Sequence, residues 1–199
     1  MKTKHVLIGF LAIMAGIIGF AVFFQEAFTA LLVHPAVYRH ARFIHIAAAT
    51  LFFANAVAGM LWEQRSFASG SKEVILHTYN TVALLDSLFS SPLIILLLLG
   101  GLSLSFNRGE LWQIGWLSVS FLLFLLSGIF WVLGDIPTQY KIKQLTSSLK
   151  PEDQALPDKL IRLLRLRWWI SLAGVLPLVV VFILMVYKPE ITPVADWFQ

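Results

Sequence analysis

The 199-residue sequence predicts an all-α, polytopic transmembrane bundle of five helices, and three observations carry that prediction. The apolar fraction is 58% and the mean hydropathy +0.80, well above the roughly 45–50% apolar of soluble domains. The apolar residues come in unbroken runs of about twenty, the length a helix needs to cross a ~30 Å hydrocarbon core, and not in the alternating ten-residue segments of a barrel. Charged residues gather in the gaps between those runs. With no cysteine, disulfides, thiolate metal sites and Cys-linked haem are excluded. The net charge of +4 would suggest nucleic acid in a soluble protein; here basic loops facing the cytoplasm account for it, and no nucleic-acid partner is expected.

The first span, residues 5–24, follows a short basic start and carries no charge. It is longer than the 7–15 residues of a signal-peptide core and lacks a small-residue cleavage site, so it reads as a retained helix. The segment through Val33 either prolongs that helix or lies along the surface, and His34-Pro35 ends it. The second span, residues 43–62, puts His45, Ala48, Ala49, Phe52, Ala56 and Gly59 on one face with Asn55 at its edge, small residues that let helices approach closely in lipid. The third, residues 79–99, contains Asp86, a Ser90-Ser91-Pro92 break and, just beyond, Gly100-Gly101. Asn107-Arg108-Gly109 forms a tight turn before the fourth span, residues 111–134, which Trp112, Trp116 and Trp131 anchor at its ends. A polar connection follows, whose second half reads as a basic amphipathic helix entering the fifth span, residues 168–187, bent or loosened at Pro177. The expected organisation is therefore an N-terminal helix and connection (1–40), a four-helix bundle (41–190) with a basic loop at 135–167, and a short tail (191–199).

Loop charge sets the orientation. Eleven Lys and Arg residues fall on the N-terminal side (2, 4, 65, 72, 141, 143, 150, 159, 162, 165 and 167) and four on the other (39, 42, 108 and 188). That asymmetry predicts an inner-membrane protein with its N-terminus in the cytoplasm and its C-terminus outside.

Asp86 is the first candidate for function. A carboxylate at mid-helix costs roughly 2.5–3.5 kcal/mol on the insertion scale, so it is expected to face the bundle interior. Two readings follow: structural glue between helices, bonded to Tyr79, Asn55 or a serine, or a proton relay or polar lining of a small-solute path; on the second, the chain is a non-enzymatic membrane protein, an assembly factor or a small-solute or proton pathway centred on Asp86. Asp86, Asn55 and Tyr79 form the expected intramembrane polar set. His45, one turn inside its helix, reads either as an interfacial histidine bonded to a neighbouring helix or as an axial haem ligand. His77 lies near the opposite end of the third span and is a poor second ligand, while His5, His34 and His40 show no metal-ligating spacing. Arg162, Arg165 and Arg167 are expected to bind anionic lipid headgroups. No catalytic motif, hydrolase constellation or phosphate loop is present. A second copy of the chain or another membrane subunit is left open as a partner.

The second to fifth spans resemble a bacterial family of predicted integral membrane proteins known as domain of unknown function 2269. The residues carrying the resemblance are Phe43-Ile44-His45, Trp62 and Arg65, then Leu85-Asp86-Ser87-Leu88-Phe89, Pro92 and Gly100-Gly101. Gly128-Ile129-Phe130-Trp131 and Ile136-Pro137 belong to it, as do Arg167-Trp168-Trp169, Gly174, Pro177 and the stretch from Leu184 to Pro189. Asn55 stands where members often carry glycine, and the first helix lies outside the match. The resemblance implies a membrane bundle with no assigned activity. A more distant likeness, through His45 alone, is to copper-resistance D-type proteins and the HemJ-type protoporphyrinogen oxidase; it implies haem b as a cofactor bound through His45.

Overall fold

A computed structural model describes residues 3–109, 111–149 and 155–197, and among these every regular element is helical. Helix α1 (Thr3–Phe23) is apolar on every side from residue 8 on, but Phe10, Met14, Ile17 and Ala21, spaced by four, three and four, form its more buried stripe. The chain then bends by 107° into α2 (Gln25–Val33). Phe20 stacks edge-on against Phe28 across that elbow at 5.7 Å. The segment expected to prolong the first helix or lie along the surface is thus a separate short helix.

Helix α3 (Pro35–Ser69) starts eight residues earlier than the apolar run indicates. Pro35 is the first helical residue, where its missing N–H has no intrahelical bond to forfeit. The helix runs on past Trp62 until Gly70, at φ +66, reverses the chain. At about 1.5 Å per residue its 35 residues reach about 50 Å, well beyond the hydrocarbon thickness.

The third span is α4 (Lys72–Leu85), a π-helical turn (Asp86–Ser90) and α5 (Ser91–Phe106) in one continuous helix. The fourth repeats the scheme: α6 (Gly115–Ile129), a π-helical turn (Phe130–Asp135) and α7 (Ile136–Ser147). Pro92 and Pro137 explain both wide turns. Neither has an N–H for the carbonyl four residues back. The preceding residue bonds one position further instead, Ser91 N–H to Asp86 O and Ile136 N–H to Trp131 O. The Ser90-Ser91-Pro92 sequence is therefore a bulge and not a break, and the fourth helix does not stop at Gly134. The reason is environmental: ending a helix in or near lipid would strand backbone groups, whereas a π turn keeps most of them paired. Helix α8 (Asp158–Tyr187) is likewise continuous through Pro177, so the expected loop at 135–167 is largely two helix ends.

Among the described residues, four helices are long and apolar enough to cross a membrane, and the bent α1–α2 pair makes a fifth candidate. The molecule is a polytopic helical membrane protein. Its surface agrees: Phe43, Leu133 and Val186 are each more than 70% exposed, while Ser103, Ser118 and Ser120 are buried. Small polar residues inside and large apolar ones outside is the pattern of helices packed in lipid.

Two compact units are distinguishable. The first comprises Met1–Asn55, Leu84–Ser118 and Glu190–Gln199. In it α2 packs on α5, fixed by Ser103 Oγ donating to Leu32 O at 2.6 Å, and α1 packs against α5 and the Asp86–Ser90 turn. The tail folds over the start of α6, where Val194 N–H donates to Ser118 Oγ and a Cβ at Gly115 would collide with the Ile191 carbonyl. The second unit comprises Ala56–Ala83 and Val119–Pro189. Its core is Ile75, Tyr79, Ile142, Leu160 and Leu164, with Phe67, Leu145 and Leu163 around them.

Candidate functional site

In the second unit, three charged residues that each flank a predicted span meet in one buried cluster. Glu63 follows Trp62, Asp135 follows Gly134 and Arg167 precedes Trp168. Arg167 Nη1 donates to Glu63 Oε1 at 2.7 Å and Nε donates to Asp135 Oδ1 at 2.9 Å. None of the three side chains is more than 6% exposed. Gln139 Nε2 donates to the second Asp135 oxygen at 2.6 Å. The Tyr79 ring lies 5.4 Å below the guanidinium, and its hydroxyl donates to Leu164 O at 3.2 Å. Four helical segments thus converge on one cation.

Local chemistry aims each group. Asp135 closes the π turn that Pro137 imposes, and that turn buries Asp135 while Val132 and Leu133 face outward. Gly134 brings α8 close, since a Cβ there would stand 2.8 Å from Ile170 Cγ2. Ser66 Oγ donates to Glu63 O, and Trp168 Nε1 donates to Met60 O, tying α8 to α3 one turn before Glu63. A guanidinium suits the task because its fork offers separate N–H groups to two carboxylates on different helices; an ammonium is a single point of charge. Desolvating such ions costs several kcal/mol each, repaid only when geometry and further hydrogen bonds are good. The additional donors and the aromatic face beneath the cation meet that condition.

Arg167 was expected at lipid headgroups, and there the structure corrects the sequence. It is 2% exposed and turned inward, while Arg162 and Arg165 on the same helix are exposed. Helical spacing is the reason: Leu160, Leu164 and Arg167 share the buried face, and Arg162 and Arg165 do not. Tyr79 is buried, with its hydroxyl on Leu164 O and its ring beneath Arg167. The sequence did hold a signal for the cluster. Two acids and one arginine each border a span on the same predicted side, and Tyr79 opens the third span there.

The remaining candidates lie in the first unit. Asp86 opens its π turn half-buried, and its carbonyl accepts from Ser91 N–H and Ser91 Oγ. Ser87 and Ser90 are buried on that turn, and Leu84, Leu85, Leu88 and Phe89 form its exposed side. Asn55 Nδ2 donates to Ser90 Oγ at 2.9 Å. His45 Nδ1 lies 2.8 Å from Leu97 O. A carbonyl only accepts, so Nδ1 carries the proton and Nε2 holds the lone pair in the neutral ring. Gly100 and Gly101 permit this crossing of α3 and α5: a Cβ at Gly101 would stand 3.0 Å from His45 Cε1, and one at Gly100 would stand 3.2 Å from Ala41 O. His34 and His40 are exposed, and among the described residues no three His, Cys, Asp or Glu side chains are grouped as a metal site.

Residues 39–189 match a family model described as "Predicted integral membrane protein (DUF2269)". No curated protein and no solved structure matches the chain.

Proposed function

Since the chain belongs to the DUF2269 family of predicted integral membrane proteins, its work is done in the bilayer, and we propose a non-enzymatic, proton-linked small-solute pathway whose charged centre is Glu63–Arg167–Asp135. One observation carries this reading: two buried carboxylates share one buried guanidinium. Fully ionised, the cluster holds one negative charge in excess, and one proton neutralises it. Because each carboxylate belongs to a different helix, protonating either one releases one arm of the arginine and loosens one helix from α8. In this reading the chain sits in the inner membrane with its N-terminus inside, and the cluster lies at the cytoplasmic ends of the spans.

Proteoliposomes enclosing a pH-sensitive dye test the proposal. The wild-type chain is expected to move protons on an imposed gradient, and Glu63→Gln or Asp135→Asn to abolish that movement while far-UV circular dichroism still reports a helical protein. Rates equal to those of empty liposomes for the wild type would overturn the proposal in favour of a membrane-assembly role.

A second reading, haem b held through His45, is supported by the Leu97 bond, which fixes the tautomer so that Nε2 carries the lone pair. His45 is the residue that would hold the iron, and bound haem would supply electron transfer. A Soret band that disappears in His45→Ala is the expected result, and a colourless protein from haem-replete cells contradicts it.

A further inference from the structure

The outer surface of the second unit carries a pattern independent of the buried cluster. On three helices, an exposed aromatic or apolar side chain is followed, away from the span, by exposed basic ones. On α3, Leu61 and Trp62 precede Arg65; on α7, Tyr140 precedes Lys141 and Lys143. On α8, read toward its N-terminus, Trp169 and Leu166 precede Arg165 and Arg162. Trp169 is 63% exposed and Leu166 50%, so this face is turned away from the protein.

A basic amphipathic helix beside a membrane would ordinarily insert its apolar face. Here that face is already covered, with Leu160 and Leu164 fully buried in the protein's own core. What α8 offers outward at this level is charge with an aromatic edge. The balance is one-sided: Arg65, Lys141, Lys143, Lys159, Arg162 and Arg165 are exposed, against Glu73 and Asp158 among the described residues of this end. Spacing supplies a second constraint. Arg165 and Arg162 lie four and seven residues from Trp169, about 6 and 10 Å along the axis. The headgroup layer of one leaflet is about 5–8 Å deep. With Trp169 at the acyl boundary, where tryptophan concentrates, Arg165 falls among the phosphates and Arg162 just beyond them, within reach by bending its long side chain back toward the layer.

We propose that this belt binds the headgroup phosphates of anionic phospholipids, with Arg162 and Arg165 as the principal contacts and Trp169 and Leu166 against the upper acyl chains. The basic belt marks the leaflet boundary of the bundle and selects lipid by charge.

Native mass spectrometry of the full chain, extracted from bilayers of equimolar phosphatidylglycerol and phosphatidylcholine, tests the assignment. Retained lipid is expected to be enriched in phosphatidylglycerol, and 0.5 M salt during extraction to shrink the enrichment. Arg162→Gln with Arg165→Gln is expected to lower it by up to about 25-fold, at about fivefold per charge. Arg42→Gln, an exposed cation of the other unit, is expected to leave it unchanged. Equal retention of the two lipids by the wild type, or full enrichment in the Arg162/Arg165 double variant, would overturn the proposal. So would enrichment lost equally in Arg42→Gln, or binding of acidic peptide without lipid enrichment. Should the double variant fail to fold, the salt response of the wild type decides: enrichment indifferent to 0.5 M salt overturns the electrostatic site.

Discussion

Arg167 is the residue on which most depends, and its chemistry makes sharp expectations. Arg167→Ala leaves two carboxylates buried together and is expected to cost about 3–5 kcal/mol. Arg167→Lys keeps the charge but not the fork, and is expected to fall between Ala and wild type. Both are measured by denaturant titration in detergent; an Arg167→Ala effect below about 1 kcal/mol would mean that water reaches the cluster. Tyr79→Phe keeps the ring under the guanidinium and loses the hydroxyl that donates to Leu164 O, so about 0.5–1.5 kcal/mol is expected. Legibility in the sequence differed between the acids for a physical reason. Asp86 stood out because it interrupts an apolar run. Glu63 and Asp135 sit where spans end, where charge is ordinary, and only the folding of residues 104 apart brings Glu63 to Arg167.

At the level of the helices, proline and glycine do opposite work. Pro137 imposes the π turn that buries Asp135, so Pro137→Ala sets two effects against each other. Propensity alone favours alanine inside a helix by about 3 kcal/mol. Closing the turn to α geometry would rotate Asp135 away from Arg167, and the account expects that loss to win, giving a lower thermal midpoint in detergent. A higher midpoint would show that the turn does not position the cluster. Gly101→Ala drives a methyl into the His45 ring and is expected to cost about 1–3 kcal/mol. The prolines were visible in the sequence, but their consequence was not. In water they commonly stop helices, and only the need to keep backbone groups paired in lipid turns a stop into a bulge.

On the scale of the whole molecule, the absence of cysteine makes topology measurable without background. Arg162→Cys is expected to react with an impermeant maleimide only from the cytoplasmic side and Lys188→Cys only from the opposite side; labelling of both from one side contradicts the charge-based orientation. The second to fifth spans were readable because length and hydropathy mark a helix able to cross a bilayer. The 107° bend between α1 and α2 was not, since it depends on contacts such as Phe20 with Phe28 and Ser103 with Leu32. The central claim, that charges at three span ends meet inside the protein, is tested most directly by a double-mutant cycle between Glu63→Gln and Arg167→Gln, read by denaturant titration. A coupling of about 1–3 kcal/mol is expected, the double variant being less damaged than the sum of the single ones. Effects that add to within about 0.5 kcal/mol would place the two side chains apart and contradict it.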